Sequence, residues 1–247
     1  EERAYAELDS LLRRSGRAQG RRNLDIAALL LKKRFLSSPW AFAQTLENYL
    51  DQSLHGGALD DEYDDYYTEV MGSGQSDEEE GLVAQPELDT LLATRASDPL
   101  SAATREQLEE LAGWARGYQS RPDSRLEALV SMLDAVCRPD GRTWSNERVV
   151  VFTEYADTLN WIVSVLHQQG YGERLAVIRG STSVEEREDI RARFNADPAV
   201  EDVRVLVATD AAGEGIDLQA YCHRLVNFDV PFNPSRLEQR VGRIDRY

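Results

Sequence analysis

The stretch VVVFTEYADTLNWIVSVLHQQGYGERLAVI, residues 149–178, decides the fold class of this chain. It opens on a continuous apolar run, which is typical of a strand buried on both faces. It closes on a second apolar run, LAVI, at 175–178. Between the two runs, apolar residues recur at the spacing of one helical face: Leu159, Ile162, Val163 and Leu166. Strand, helix and strand in this order predict two parallel strands joined by a crossover helix.

The alternation of strands and helices continues toward the end of the chain. The further elements that we predict are a capped helix, two strands and a closing helix, at 183–194, 203–208, 224–228 and 234–244. We therefore predict an α/β fold in which helices wrap a parallel sheet. Ligands of such sheets bind at the carboxyl ends of the strands. The polar residues that follow each strand are thus candidate site residues, with Asp210 and Asp229 among them.

Helices are also predicted in the first half of the chain. Ser38 is an expected N-cap for a helix that has Pro39 at its first position. Apolar residues at helical spacing return near 101–118, and Ser124 with Glu127 can form a capping box before the sheet begins. A mainly helical region is therefore expected to precede the α/β part of the chain.

The negative charge is concentrated in one segment. Residues 51–90 hold thirteen acidic residues and no lysine or arginine, so this segment accounts for most of the formal net charge of -16. Because residues 55–81 also have few aliphatic side chains, they are expected to form a mobile insert. The expected domains are a helical region, an acidic and partly disordered insert with one helix, and the sheet domain: 1–50, 51–123 and 124–247.

Cysteine usage and hydropathy exclude several classes of protein. Cys137 and Cys222 lie far apart with no C-x-x-C motif, and the chain has three histidines, so neither a disulfide framework nor a zinc site is predicted. The apolar runs are far shorter than the ~18 residues that a membrane span requires. We expect a cytoplasmic protein with no metal site of its own and no membrane contact.

The segment VLVATDAAGEGIDL at 205–218 places polar residues and glycines directly after a predicted strand. Glycines in this position allow the backbone to approach a ligand closely, and Asp217 can accept hydrogen bonds from a ribose hydroxyl. An ordinary strand-to-helix turn explains the segment equally well. The glycines do not match the dinucleotide-binding pattern G-x-G-x-x-G.

The ending QRVGRIDRY at 239–247 sets Arg240, Arg243 and Arg246 three residues apart. Such spacing also occurs on an exposed helical face with no further role. The interleaved Gln239 and Gly242 argue against that explanation. Guanidinium groups bind phosphate oxygens through paired hydrogen bonds and keep their charge at every physiological pH, so the pattern suits a phosphate ligand.

Four segments in this order resemble the motif series of the second RecA-like lobe of superfamily 2 helicases, and they are most similar to bacterial Swi/Snf-type ATPases. The segments are VVVFTEY, IRGSTSVEER, VLVATDAAGEGIDLQ and VNFDVPFNPSRLEQRVGRIDRY, at 149–155, 178–187, 205–219 and 226–247. The resemblance covers about the last 100 residues, and it implies that the parallel sheet is RecA-like.

The resemblance implies roles in ATP hydrolysis for residues of the last two motifs. Arg243 and Arg246 match the arginine fingers, which stabilise charge on the γ-phosphate, and Gln239 lies beside them. Gly215 and Asp217 match the residues that face the nucleotide sugar. A further residue of the last motif, Arg240, receives no such role, and we expect its replacement to be harmless by comparison.

The resemblance also implies a nucleic-acid track along the strand ends. The residues expected to contact the nucleic-acid backbone are Thr153, Gly180, Ser181 and Thr209, with Arg179 or Arg187 supplying charge. For each of the first four residues, a local cap or turn bond is an equally good explanation. Arg187 alternatively pairs with neighbouring glutamates.

The motifs of a first helicase lobe are absent from the sequence. No lysine follows Lys33, so the phosphate-binding pattern G-x-x-x-x-G-K-[ST] does not occur. ATP with Mg²⁺ is therefore expected to be held mainly by an N-terminal RecA-like lobe of the same protein, and this chain alone is expected to be inactive. Many Swi/Snf-type proteins have Asn at the position of Asp217. The chain also stops before the Gly-Gln that often follows the last arginine, so the lobe is expected to be truncated at its C-terminal end.

The implied function is the C-terminal half of an ATP-dependent Swi/Snf-type DNA translocase or helicase, which supplies arginine fingers and part of a track for duplex DNA. A protein complex such as RNA polymerase is a further candidate partner. Two alternatives remain. One is an RNA helicase of the same superfamily, and the other is a non-catalytic DNA-binding or protein-binding module that kept the fold.

Overall fold

The structure, a computed structural model, describes residues 1–19, 23–55, 100–210, 217–231 and 233–245. The chain forms two compact units, Glu1–Gln119 and Ser120–Tyr247. Each unit contains its own cluster of buried apolar side chains, as expected of separate domains. Apart from His55, which ends a helix, the predicted mobile insert at 55–81 lies outside the described residues.

The first unit is helical in its described part. Its helices are α1, Glu2–Gln19; α2, Asn23–Ser37; α3, Pro39–His55; and α4, Ala102–Arg116. Trp114 of α4 stacks on Phe35 of α2 with 5.6 Å between the ring centroids. The Ser38 Oγ accepts a hydrogen bond from the Ala41 N–H at 3.1 Å, which confirms the predicted N-cap of α3. Because α4 packs on α3, the helix after the acidic segment belongs to the same unit as the first three helices.

The second unit is built on a four-stranded parallel sheet. The strands are β1, Val149–Thr153; β2, Leu175–Ile178; β3, Val205–Thr209; and β4, Arg224–Asn227. They lie in the order β2-β3-β1-β4, and every neighbouring pair is parallel. The described helices of this unit are α5, Ser124–Cys137; α6, Ala156–Gln168; α7, Val184–Phe194; and α8, Pro234–Val241. The predicted α/β fold with a parallel sheet is confirmed.

The burial of each strand follows its place in the sheet. The two central strands, β1 and β3, are buried at every residue, as their continuous apolar runs predicted. The edge strands β2 and β4 are only partly buried. The third strand begins at Val205, two residues later than predicted, because its ladder with β1 starts there.

Of the two helix caps predicted in the second unit, one is confirmed and the other is wrong. Ser183 caps α7, and the Glu186 carboxylate accepts from the Ser183 N–H in return, which confirms the predicted capping there. The capping box predicted from Ser124 and Glu127 is wrong. Asp123 is the cap of α5 instead, and its carboxylate accepts from the Leu126 N–H at 2.8 Å. The Glu127 N–H, which the serine was expected to cap, donates to the main-chain oxygen of Asp123 at 2.9 Å.

The strand ends meet along one border of the sheet, which we call the carboxyl edge. Thr153 lies opposite Thr209, Phe152 lies opposite Asn227, and Ile178 lies opposite Ala208. The loops that leave all four strands therefore start close together. In open parallel sheets this border is where ligands bind.

Candidate nucleotide and nucleic-acid site

Two threonines end the central strands at the carboxyl edge, and both are buried. The Thr153 hydroxyl donates to Asp229 Oδ2 at 2.6 Å, and the Glu154 N–H donates to Asp229 Oδ1 at 2.8 Å. The Asp229 carboxylate thus fastens the turn after β1 to the turn after β4. In this arrangement the local turn bond explains Thr153, and a phosphate could reach the hydroxyl only if that bond opened. Thr209 is 6% exposed, so it too offers little surface to a nucleic-acid backbone.

Arg240 of α8 binds carboxylates of its own chain. Its Nε and Nη2 atoms both donate to the Asp210 carboxylate, with 2.7 Å from Nη2 to Oδ2. Its Nη1 donates to Asn227 Oδ1 at 3.0 Å and to the main-chain oxygen of Asp229 at 2.9 Å. Nη2 also lies 3.6 Å from Asp229 Oδ1. The Arg240 side chain is 2% exposed, so this is a buried bidentate ion pair.

The contacts of Arg240 join the closing helix to three strand ends. Asp210 follows β3, Asn227 ends β4, and Asp229 is bonded to Thr153 at the end of β1. The anion that Arg240 meets is therefore part of the chain, and not a phosphate ligand. The expectation that replacement of Arg240 would be harmless does not hold for a guanidinium buried between two carboxylates.

Arg243 lies beside Asp217, which is the residue expected to face the nucleotide sugar. The Leu218 N–H donates to the Arg243 main-chain oxygen at 3.0 Å, and this bond brings the two predicted nucleotide-site residues together. Arg243, Asp217 and Gln239 are all half-buried, so part of each remains at the surface. Two predicted site residues lie outside the described part of the chain: Gly215 and Arg246.

Several buried oxygen atoms at and around Asp217 have no donor within the described part of the chain. Its Oδ2 accepts from Gln219 Nε2 at 3.1 Å, and its main-chain oxygen accepts from Asn195 Nδ2 at 2.7 Å. Its Oδ1 is buried and has no hydrogen-bond donor among the residues that the structure describes, and the same holds for Asn195 Oδ1 and Gln219 Oε1. Buried acceptors without donors are rare, and a ligand hydroxyl would supply a donor here.

The loop between β2 and α7, residues 179–183, contributes the exposed residues of the candidate track. Arg179 N–H donates to Thr182 Oγ1 at 2.8 Å, and Thr182 N–H donates to the Arg179 main-chain oxygen at 3.0 Å. Gly180 and Ser181 are exposed at the tip of this turn. Arg179 is half-buried, and its Nε donates to Asn160 Oδ1 at 3.1 Å.

Arg187 is directed at this loop. Its Nε donates to the main-chain oxygen of Thr182 at 3.0 Å, and its Nη2 donates to the main-chain oxygen of Gly180, also at 3.0 Å. Neither of the two sequence-based explanations, a phosphate contact or a pair with a neighbouring glutamate, describes these bonds.

In the described residues, no group of three or more His, Cys, Asp or Glu side chains is placed to hold a metal ion. None of the helices in the same residues combines the length and the apolar composition that crossing a membrane requires.

Comparison with known proteins places the second unit in a family. Residues 124–247 match the family described as helicase conserved C-terminal domain. An uncharacterized ATP-dependent helicase, YqhH of Bacillus subtilis (strain 168), is 38% identical over 101 residues, which are 41% of this chain and 17% of that protein. The RNA polymerase-associated protein RapA of Yersinia enterocolitica is 38% identical over 124 residues, which are 50% of this chain and 12% of that protein. The matched region thus spans less than a fifth of the length of these relatives.

One solved structure, the C-terminal part of the Fun30 ATPase domain, is 21% identical to this chain. The alignment covers 64% of this chain and 49% of that one, with a TM-score of 0.42. The family match covers half of the chain, and it contains the whole parallel sheet with its closing helix. The chain therefore belongs to the helicase conserved C-terminal domain family, whose members are the second lobes that its four motifs resemble.

Proposed function

We propose that this chain is the second lobe of a Swi/Snf-type ATP-dependent DNA translocase. The observation that carries the proposal is the bond between the Leu218 N–H and the Arg243 main-chain oxygen, because it brings the backbone of the last motif, which carries the Arg243 guanidinium, next to the backbone that carries the Asp217 carboxylate. A nucleotide offers phosphate oxygens to the first group and sugar hydroxyls to the second. The buried Oδ1 of Asp217, which has no donor among the residues that the structure describes, supports the sugar assignment.

The nucleotide would be shared between this lobe and another one. The chain has no lysine after Lys33 and hence no P-loop, so another lobe would bind the β-phosphate and γ-phosphate. A first lobe of the same protein would also supply the Mg²⁺ ligands, and the greater length of the relatives leaves room for such a lobe. In that arrangement the residues of this chain bind the sugar and stabilise the γ-phosphate charge, while the chain alone hydrolyses no ATP.

The nucleic-acid track would use the β2–α7 loop. Gly180 and Ser181 are exposed, and their N–H groups have no acceptor in the part of the chain that the structure describes. Backbone amides of this kind are suited to phosphate oxygens, and Arg179 next to them adds positive charge. Contacts of this type carry no base information, so sequence preference should be slight.

Binding of duplex DNA by this chain should be weak and should depend strongly on salt. If two or three phosphates are contacted, affinity should fall by about 10- to 40-fold between 50 and 200 mM salt. Fluorescence anisotropy with labelled duplexes of unrelated sequence measures this slope. Tight binding to one sequence that salt does not weaken would contradict the proposal, and stronger binding to RNA than to duplex DNA would favour the RNA helicase alternative.

Replacing Gly180 by alanine should weaken DNA binding without weakening the fold. A Cβ at Gly180 would meet no atom within 4 Å, and its φ lies outside the left-handed region, so the chain itself tolerates a methyl group. A phosphate bound against this backbone would clash with the added methyl group. The loss of one such hydrogen bond is worth about 1 kcal/mol, which is about fivefold in affinity. Titration of the variant with duplex DNA measures the change.

Gly113→Ala is the matched control for that substitution. Gly113 lies in α4 of the other unit, and a Cβ there also meets no atom within 4 Å. Both variants should melt at or above the wild-type temperature. Unchanged DNA affinity in Gly180→Ala would remove the loop from the track.

The assembly and the cellular setting are also proposals. One relative is named an RNA polymerase-associated protein, and on that ground we propose a large protein complex such as RNA polymerase as a partner. Cys137 and Cys222 are free and buried, and burial raises the pKa of the Cys137 thiol to about 11. Thiols held protonated in this way suit the reducing conditions of the cytoplasm, where we place the protein.

A further inference from the structure

The β2–α7 loop, residues 179–183, is made of residues that would not hold one shape alone. Gly180 and Ser181 lie exposed at its tip, and small polar residues in exposed turns ordinarily sample several conformations. Here the carbonyl oxygens of Gly180 and Thr182 both accept hydrogen bonds from the guanidinium of Arg187. One side chain therefore restrains two of the peptide units in the loop.

The position of Arg187 is itself set by the helix that carries it. Its N–H donates to the Ser183 main-chain oxygen at 2.9 Å, so Arg187 lies one turn into α7. The capping box of Ser183 and Glu186 fastens the start of that helix. The guanidinium thus reaches back from a fixed helix to a loop whose tip is otherwise closed by the two bonds between Arg179 and Thr182.

Holding the Gly180 carbonyl also directs the next amide. The peptide unit between Gly180 and Ser181 is trans, so its C=O and N–H point in opposite directions. Because the C=O points to the Arg187 guanidinium, the Ser181 N–H points away from that guanidinium. This N–H has no acceptor among the described residues, whereas the Ser183 N–H, which follows the other restrained carbonyl, donates to Glu186.

We infer that Arg187 is a positioning residue, which shapes the β2–α7 loop so that the Ser181 amide is presented to a phosphate, and that it is not itself the phosphate contact. The inference rests on the proposed role of this loop in the nucleic-acid track. It also predicts that lysine cannot replace arginine here. A compact ammonium group lacks the rigid fork that holds two carbonyls at once.

Hydrogen exchange of the free chain tests the positioning itself. In Arg187→Ala and in Arg187→Lys, the amides of Arg179, Thr182 and Ser183 should exchange several-fold faster than in the wild type, while amides of β1 and β3 keep their protection. The matched control is Arg191→Ala. It removes the same charge from the same helix, but Arg191 pairs with Glu188 at 2.6 Å and has no bond to the loop. Unchanged exchange of the loop amides in Arg187→Ala would overturn the inference.

The salt dependence of DNA binding separates positioning from a direct phosphate contact. If Arg187 is a positioning residue, Arg187→Lys and Arg187→Ala should both bind duplex DNA about fivefold more weakly, because the variants lose about one hydrogen bond to phosphate. Arg191→Ala should stay within about twofold of the wild type. For a phosphate contact, Arg187→Lys would keep its affinity, and Arg187→Ala would lower the slope of log affinity against log salt by about 0.9. That pattern would overturn the inference.

The two proposals fail in distinguishable ways. If the wild-type chain shows no salt-sensitive binding of duplex DNA, the proposed nucleic-acid track fails, and with it the purpose assigned to the loop. The exchange experiment uses no DNA, so faster loop exchange in both Arg187 variants would still support the restraint by Arg187.

Discussion

Replacing Arg243 by alanine, in the full protein that we propose to join this chain to an ATP-holding lobe, should lower nucleic-acid-stimulated ATP hydrolysis by about 10³–10⁵-fold. This is about 4–7 kcal/mol of activation free energy. The physical reason is that a guanidinium stabilises the charge that develops on the γ-phosphate in the transition state. Because that charge is smaller in the ground state, the affinities for ATP and for DNA should change little. Steady-state ATPase assays with and without duplex DNA measure the loss, and nucleotide titrations measure the affinity.

A suitable control for Arg243→Ala is Arg224→Ala. Arg224 forms an exposed pair with Glu147, in which both side chains are 51% exposed, so its removal takes away one arginine of the same unit at little cost in stability. The control should keep its ATPase activity. Full activity in Arg243→Ala would show that this arginine does not act as a finger. By resemblance alone, Arg246→Ala should behave like Arg243→Ala.

Replacing Arg240 by alanine should destabilise the second unit by about 3–5 kcal/mol, because it leaves buried carboxylates without their cation. A domain is typically stable by about 5–15 kcal/mol, so the loss is a large fraction of the total. The Asp210 carboxylate would lose both of its donors from Arg240, and Asp229 would lose the contact at 3.6 Å. Urea denaturation followed by circular dichroism measures the change.

Two further variants give the scale for the Arg240 experiment. Arg224→Ala removes an exposed ion pair and should cost about 0–1 kcal/mol. Thr153→Val removes a single bond to the buried Asp229 and should cost about 1–3 kcal/mol. An Arg240→Ala variant as stable as Arg224→Ala would contradict the structural role. Loss of ATPase activity in Arg240→Ala cannot be attributed to a missing finger, which is why Arg224 and not Arg240 is the control for Arg243.

The elements of the α/β unit could be predicted because their signals are local. The apolar runs that became β1 and β3 are continuous, and a strand buried on both faces requires such a run. The Ser183 cap was recognisable because its partner Glu186 lies three residues away. The start of α5 was misassigned because Asp123 and Ser124 are both good caps in adjacent positions, and only the backbone conformation decides between them.

The candidate site was predictable only in part, because its residues are far apart in the sequence. The motifs directed attention to Asp217 and Arg243, and the fold brings them together through Leu218. The strands also drew attention to Asp210 and Asp229, but no local pattern connects them to Arg240. These pairs are separated by 30 and 11 residues along the chain. Likewise, spacing cannot tell whether Arg187 faces solvent, a glutamate or the loop before it.

By itself, the sequence determined the fold class and the family of this chain. Apolar periodicity, caps and the order of motifs are relations between residues near each other in the sequence, and they can be recognised without knowledge of the fold. The tertiary structure alone decided which of the arginines in the motifs is structural. Because the sheet order is β2-β3-β1-β4, the residues that follow β3 and β4 lie on either side of β1, and the closing helix inserts Arg240 between their carboxylates. Burial and charge pairing of this kind depend on which strand ends meet at the carboxyl edge, and strand order is not encoded in any local pattern.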